Sequence, residues 1–229
     1  MKKVLNLQMS FFGSFDSISA DISLAADLIP LFESKLFPSV IQLAAIDPVN
    51  NVLNTSNRLS MMSPDGKYTV VFLPDRIDCN YSPKDEVVSP DDIQSKMTQM
   101  CALIIKAADK FSVVGNRVAI NGRFVNSEIT NKYADYIIPN SFFAEKNVTE
   151  WGINANAVTT LNINGTEERV NNILNLSLGK NISGEYAVIV SFDVNTIPSN
   201  TAMRFRADAL SNFLAPAIEN MYAFTSQYR

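Results

Sequence analysis

Hydrophobic positions along this chain fall into period-two and helical runs, separated by proline and glycine turn signals. Val4 to Phe12 reads as a first strand. Asp21 is placed to cap a helix running to about Lys35, with Leu24, Leu28, Leu31 and Phe32 at helical spacing. Pro30 should kink that helix, and Phe37-Pro38 should end it. Leu59 and Met61 then lead to Ser63-Pro64-Asp65-Gly66, where proline presets φ and glycine accepts a positive φ. Tyr68, Val70 and Phe72 alternate with Lys67, Thr69 and Val71. After Pro74-Asp75, the run from Arg76 to Tyr81 alternates without a break. Residues 57–81 therefore predict a three-stranded antiparallel meander, with Leu59, Met61, Tyr68, Val70, Phe72, Ile77, Cys79 and Tyr81 on its buried face.

Ser89-Pro90-Asp91-Asp92 has the form of a helix start: a capping hydroxyl, proline at the first position, then acids on the positive dipole end. That electrostatic role accounts for Asp91 and Asp92 better than a metal site does. The helix should span about 90–109 and bury Ile93, Met97, Met100, Cys101, Ile104, Ala108 and Phe111. From Val113 the strand pattern returns, with Val118, Ile120 and Phe124 alternating with Arg117, Asn121 and Arg123. Residues 133–149 are irregular and aromatic. Three more strands are expected at about 157–163, 170–178 and 186–194, with turns at Asn164-Gly165 and Gly179-Lys180-Asn181. A final helix of about 200–227 carries a wide stripe of Phe205, Leu210, Phe213, Leu214, Ala217, Met221 and Phe224, bent at Pro216.

The order predicts an α+β fold: an antiparallel sheet built from two meanders and covered by three main helices. These are the helix after strand 1, the one at about 90–109 and the C-terminal one at about 200–227. No flexible linker interrupts the chain, so 1–229 reads as a single domain with two pseudo-halves, about 1–112 and 113–229.

Composition narrows the chemistry. A net charge of −4 argues against a general nucleic-acid binder. With 0 histidines, Ser–His–Asp and Cys–His nucleophiles and imidazole-held metals are excluded. The 8 glycines form no phosphate-cradling pattern, and no cofactor is implied. Cys79 and Cys101 sit in apolar patterns and read as buried, reduced thiols of a cytoplasmic protein. Asn6 and Gln8 interrupt the first apolar run, which favours a strand over a secretory leader. No run approaches the roughly eighteen apolar residues of a membrane span.

Carboxylate chemistry is poorly served. Asp75 lies in a turn, and Asp78 is three residues on in a strand, so the two do not form an acid–base pair. Glu33-Ser34-Lys35 ends a helix and precedes the Pro-Asp dipeptides, the wrong order for a nuclease core. Arg76, Arg117, Asn121 and Arg123 can lie on solvent-facing rows of adjacent strands, a surface that could bind a carboxylate, a phosphate or an acidic partner. They also suit an ordinary hydrated face. Tyr133, Tyr136, Phe142, Phe143 and Trp151 suit an interface or a core edge. The stripe of the last helix exceeds what a thin sheet must cover. Phe213, Met221 and Phe224 are therefore candidates for sharing with a partner or a second copy; the equal alternative is that the sheet covers them completely.

In the segments Thr69–Tyr81, Asn116–Asn121 and Val188–Thr196, with the helix to Gln227, the chain resembles a sporadically distributed family of uncharacterised bacterial proteins of about this length. The resemblance implies the fold and a mobile or defence-associated context, and it transfers no activity. That family usually carries a histidine in its last helix, and this chain has none. The residues together favour a non-catalytic interaction protein, a subunit or an immunity or accessory partner, over two alternatives. One is an Mg-dependent carboxylate hydrolase or nuclease-like enzyme; the other is a small-molecule sensor.

Overall fold

The computed structural model describes residues 2–46, 50–84, 88, 90–126, 151–180 and 186–226. In chain order the elements are β1 (Lys2–Phe12), α1 (Ile22–Leu31), β2 (Phe37–Ile46), β3 (Leu53–Met62), β4 (Tyr68–Leu73), β5 (Arg76–Tyr81) and α2 (Pro90–Lys110). Then follow β6 (Arg117–Asn126), β7 (Gly152–Ile163), β8 (Thr166–Lys180), β9 (Tyr186–Thr196) and α3 (Ala209–Ser226). All strands pair antiparallel in one 9-stranded sheet, ordered β2-β3-β4-β5-β1-β6-β9-β8-β7. β2 to β5 and β7 to β9 follow in chain order. β1 and β6 stand between these two runs and pair with each other.

Register makes the core legible. Met61, Val70, Cys79, Met9, Ile120, Val194 and Asn172 stand opposite one another on successive strands, and all seven are buried. Two helices reach this face: Tyr68 Oη donates to Gln99 of α2 at 2.6 Å, and Asn220 of α3 donates to Asn172 at 2.9 Å. The meander expected at 57–81 is present. Tyr68 is half-buried, and its other predicted core residues are buried. In α2 the stripe Ile93, Met97, Met100, Cys101, Ile104 and Ala108 is buried as its spacing predicts, whereas Phe111, read with it, lies past the end of α2 and is half-buried.

Four expectations need correction. The segment read as a helix terminator at Phe37-Pro38 begins strand β2. Proline is tolerated there because β2 lies at the end of the strand order and Pro38 is only its second residue. α1 stops at Leu31 rather than near Lys35, and Glu33 and Ser34 both take φ of 55°. Its cap is as expected, with Asp21 accepting from Ser23 N at 2.7 Å and Leu24 N at 3.2 Å. α3 begins at Ala209, not near 200, because Phe205 bridges to Gly115 and is held on the sheet side. Gly179 and Lys180 continue β8 instead of turning. Ser89, the aromatic positions 133, 136, 142 and 143, and the side chains of Asp91 and Phe224 lie outside the described residues.

Arg58 was invisible as a core residue. It is 7% exposed, and its guanidinium donates to the carbonyls of Phe15 (2.8 Å), Phe72 (3.1 Å) and Asp16 (3.4 Å). These bonds hold the chain after β1 against β3 and β4. Among the described residues no helix is long and apolar enough to cross a membrane.

Candidate functional site

The face opposite the helices carries a second row in register: Ser60, Val71, Asp78, Ser10, Ala119, Asn195 and Asn171. Ser10 donates to Asp78 at 2.6 Å, and Asn171 donates to Asn195 at 3.2 Å. Asn195 in turn donates to Asp193 at 2.8 Å, so the row is internally bonded. Phe12 stands between Arg76 and Arg117, its partners on β5 and β6. Both guanidiniums lie over its ring, with Cζ at 5.6 Å for Arg76 and 4.1 Å for Arg117.

The four predicted binding residues share one face but not adjacent strands: β1 lies between Arg76 on β5 and the other three on β6. Arg76 is consumed by Asp78, donating through Nε at 2.9 Å, and reaches Asp75 at 3.4 Å. Asn121 makes one long bond to Gln8, at 3.5 Å. Arg123 is exposed opposite Asn6 and Ser191. Burial lowers the pKa of Arg117, against the opposing pull of Asp193. Burial raises the pKa of Asp193, while the Asn195 bond and Arg117 pull it back. Phe12, Ser10 and Asp193 escaped the sequence reading. The alternation Ser191, Asp193, Asn195 against Phe192 and Val194 was the available signal.

Phe213 and Met221, put forward as shared interface residues, are 0% and 1% exposed, enclosed in the core of this chain. The exposed apolar area lies elsewhere. β2 pairs with β3 along its whole length, whereas β3 pairs with β4 only at Ser60–Met62. The rest of β2 and β3 is a two-stranded ribbon. Val40, opposite the buried Leu59, is 57% exposed and Leu53 is 62% exposed. Phe37, Val52 and Met62 are exposed in the same hairpin. Residues 37–46 and 50–57 carry no charged side chain.

A cleft of about 280 Å³ separates α2 and α3, lined by Thr98, Cys101, Ile105, Ser211, Leu214 and Ile218 among others. Both cysteines are free and buried. Among the described residues no three acidic or cysteine side chains gather in a metal-holding group. No protein-family model matches the chain, and no curated protein matches it significantly.

Proposed function

We propose that this is a non-catalytic binding protein that associates with a second copy of itself through strand β2, as a subunit or accessory partner in a bacterial or phage-related assembly. The observation that carries the reading is the ribbon. A two-stranded hairpin is marginal in water on its own, and β2 leaves one backbone edge without a partner among the described strands. Soluble sheets protect such edges with charged side chains or proline; β2 carries no charged side chain, and its one proline, Pro38, stands at its start and leaves the rest of the edge unguarded. An uncharged strand opposes its own copy without like-charge repulsion, and a two-fold axis would close the pairing.

The helices are taken here as the cover of one sheet face. Association is then left to the two sheet edges, β2 and β7, and to the opposite face, and the exposed apolar side chains of the β2–β3 ribbon favour β2. The carboxylates argue against hydrolysis: Asp78 is held by Ser10 and Arg76, Asp193 by Asn195, and Glu168 by Arg204. Free thiols at Cys79 and Cys101 support a cytoplasmic location.

Light scattering of the purified chain tests the association. The expected result is a dimer, converted to monomer by Val40→Lys and Leu53→Lys without loss of the circular dichroism spectrum. A wild-type monomer across the accessible concentration range overturns the proposal.

A further inference from the structure

Strand β7 ends the sheet on the side away from β2, and its edge chemistry is polar. It pairs with β8 from Gly152 to Ile163, and no described strand stands on its other side. The strand holds no charged side chain and no proline, the two common guards of a sheet edge. Asn154 through Thr160 are all exposed, so the edge and both faces beside it are open to a partner. A run of amides crosses the sheet toward this edge, each donating inward: Asn156 to Asn171 at 3.2 Å, Asn171 to Asn195 at 3.2 Å, and Asn195 to Asp193 at 2.8 Å. The run therefore starts at Oδ1 of Asn156, which accepts from no described residue. The sequence of β7 is also close to a palindrome about Val158. Turned antiparallel on itself there, it sets Ile153 against Ile163, Asn154 against Asn162 and Asn156 against Thr160, with Val158 opposite its own copy. The residues of each such pair are an even number apart, so they share a face of the strand.

We propose that β7 pairs antiparallel with β7 of a second copy about a two-fold axis through Val158. The Thr160 hydroxyl of each copy then donates to Oδ1 of Asn156 in the other, and the two amide runs meet across the junction. With no charge on the strand, no like-charge repulsion opposes the pairing. Its side chains are mostly polar and gain less from burial than Val40 and Leu53 do, so this contact is weaker than that of β2 and is caught by cross-linking instead of mass. Where both edges engage, copies join in an open row. The inference rests on the reading of the chain as self-associating but not on the β2 edge, so either can fail alone.

The test is disulfide trapping in a chain that also carries Val40→Lys and Leu53→Lys, which removes the contribution of β2. Directly opposed residues of an antiparallel pair have Cα atoms about 4.5–5.5 Å apart, within the reach of a disulfide. Under oxidised glutathione, Val158→Cys should give a reducible band of twice the monomer mass. Asn156→Cys and Thr160→Cys should each give none alone and a band when mixed. These bands are read against the parent chain, whose own thiols, Cys79 and Cys101, are buried. No band from Val158→Cys, or none from the mixture, overturns the pairing. Asn156→Cys alone cross-linking as fully as Val158→Cys marks random collision or another register and overturns it as well. Light scattering of the wild type decides the β2 contact separately.

Discussion

Arg204 grips Glu168 with two parallel bonds, Nε to Oε1 at 2.7 Å and Nη2 to Oε2 at 3.0 Å. The remaining Nη1 of Arg204 donates to the carbonyls of Asn116, Asn200 and Ala202. One side chain thus ties the approach to α3 onto β8 and onto the start of β6. Glu168 is 6% exposed, so removing its partner leaves a carboxylate out of water and unpaired. Arg204→Ala is expected to destabilise by about 3 kcal/mol. Adding Glu168→Leu should restore part of the loss, because the stranded charge goes with it. Urea denaturation of the single and double variants measures both.

Gly122 stands opposite Phe192, and an added Cβ would overlap the ring. That ring also stacks on Phe124, centroids 5.6 Å apart, so it has little freedom to withdraw. Gly122→Ala should cost about 1–3 kcal/mol, the range of core overpacking. The same substitution in a Phe192→Leu background should cost much less. Equal costs in the two backgrounds would show that the ring is not the obstacle.

The two thiols should differ in reactivity. Burial, then the charge of Asp78, pushes the Cys79 thiol far above its usual range. Cys101 is raised by burial as well, but Ser211 lies 3.8 Å from its sulfur and it lines the cleft between α2 and α3. Alkylation of the native protein should reach Cys101 before Cys79. After denaturation without reductant, intact mass should show both labelled.

Asp193 sets a pH dependence whose sign follows from its burial. Its folded pKa lies above the unfolded value, so between the two the native state binds more protons. Stability therefore falls as pH rises through that window, and the deficit is complete above the folded pKa. Asp193→Asn should melt higher than wild type at neutral pH and show no advantage in acid. With 0 histidines, the wild-type melting temperature should otherwise stay nearly flat between about pH 6 and 8.

Local order was readable wherever one face of an element meets the core. Alternation placed Leu59 to Tyr81, and helical spacing placed the stripe of α2, because burial of one side imposes a period on the sequence. Asn164-Gly165 was readable too, since φ of 53° and 81° there demands residues that tolerate the left-handed region. Strand β2 was not, because its half-buried positions include Ser39 and its exposed ones include Val40, so polarity does not follow the alternation of burial. Neither was the late start of α3: the apolar stripe runs on through Phe205, which is buried from a bridge and not from a helix. The sequence determined that Arg117, Asn121 and Arg123 alternate with the apolar positions of one strand. Only the tertiary structure decided that β1 inserts between β5 and β6, which puts Phe12 between two arginines and leaves one of them without an acceptor. Strand order joins residues far apart in the chain, and no local pattern encodes it.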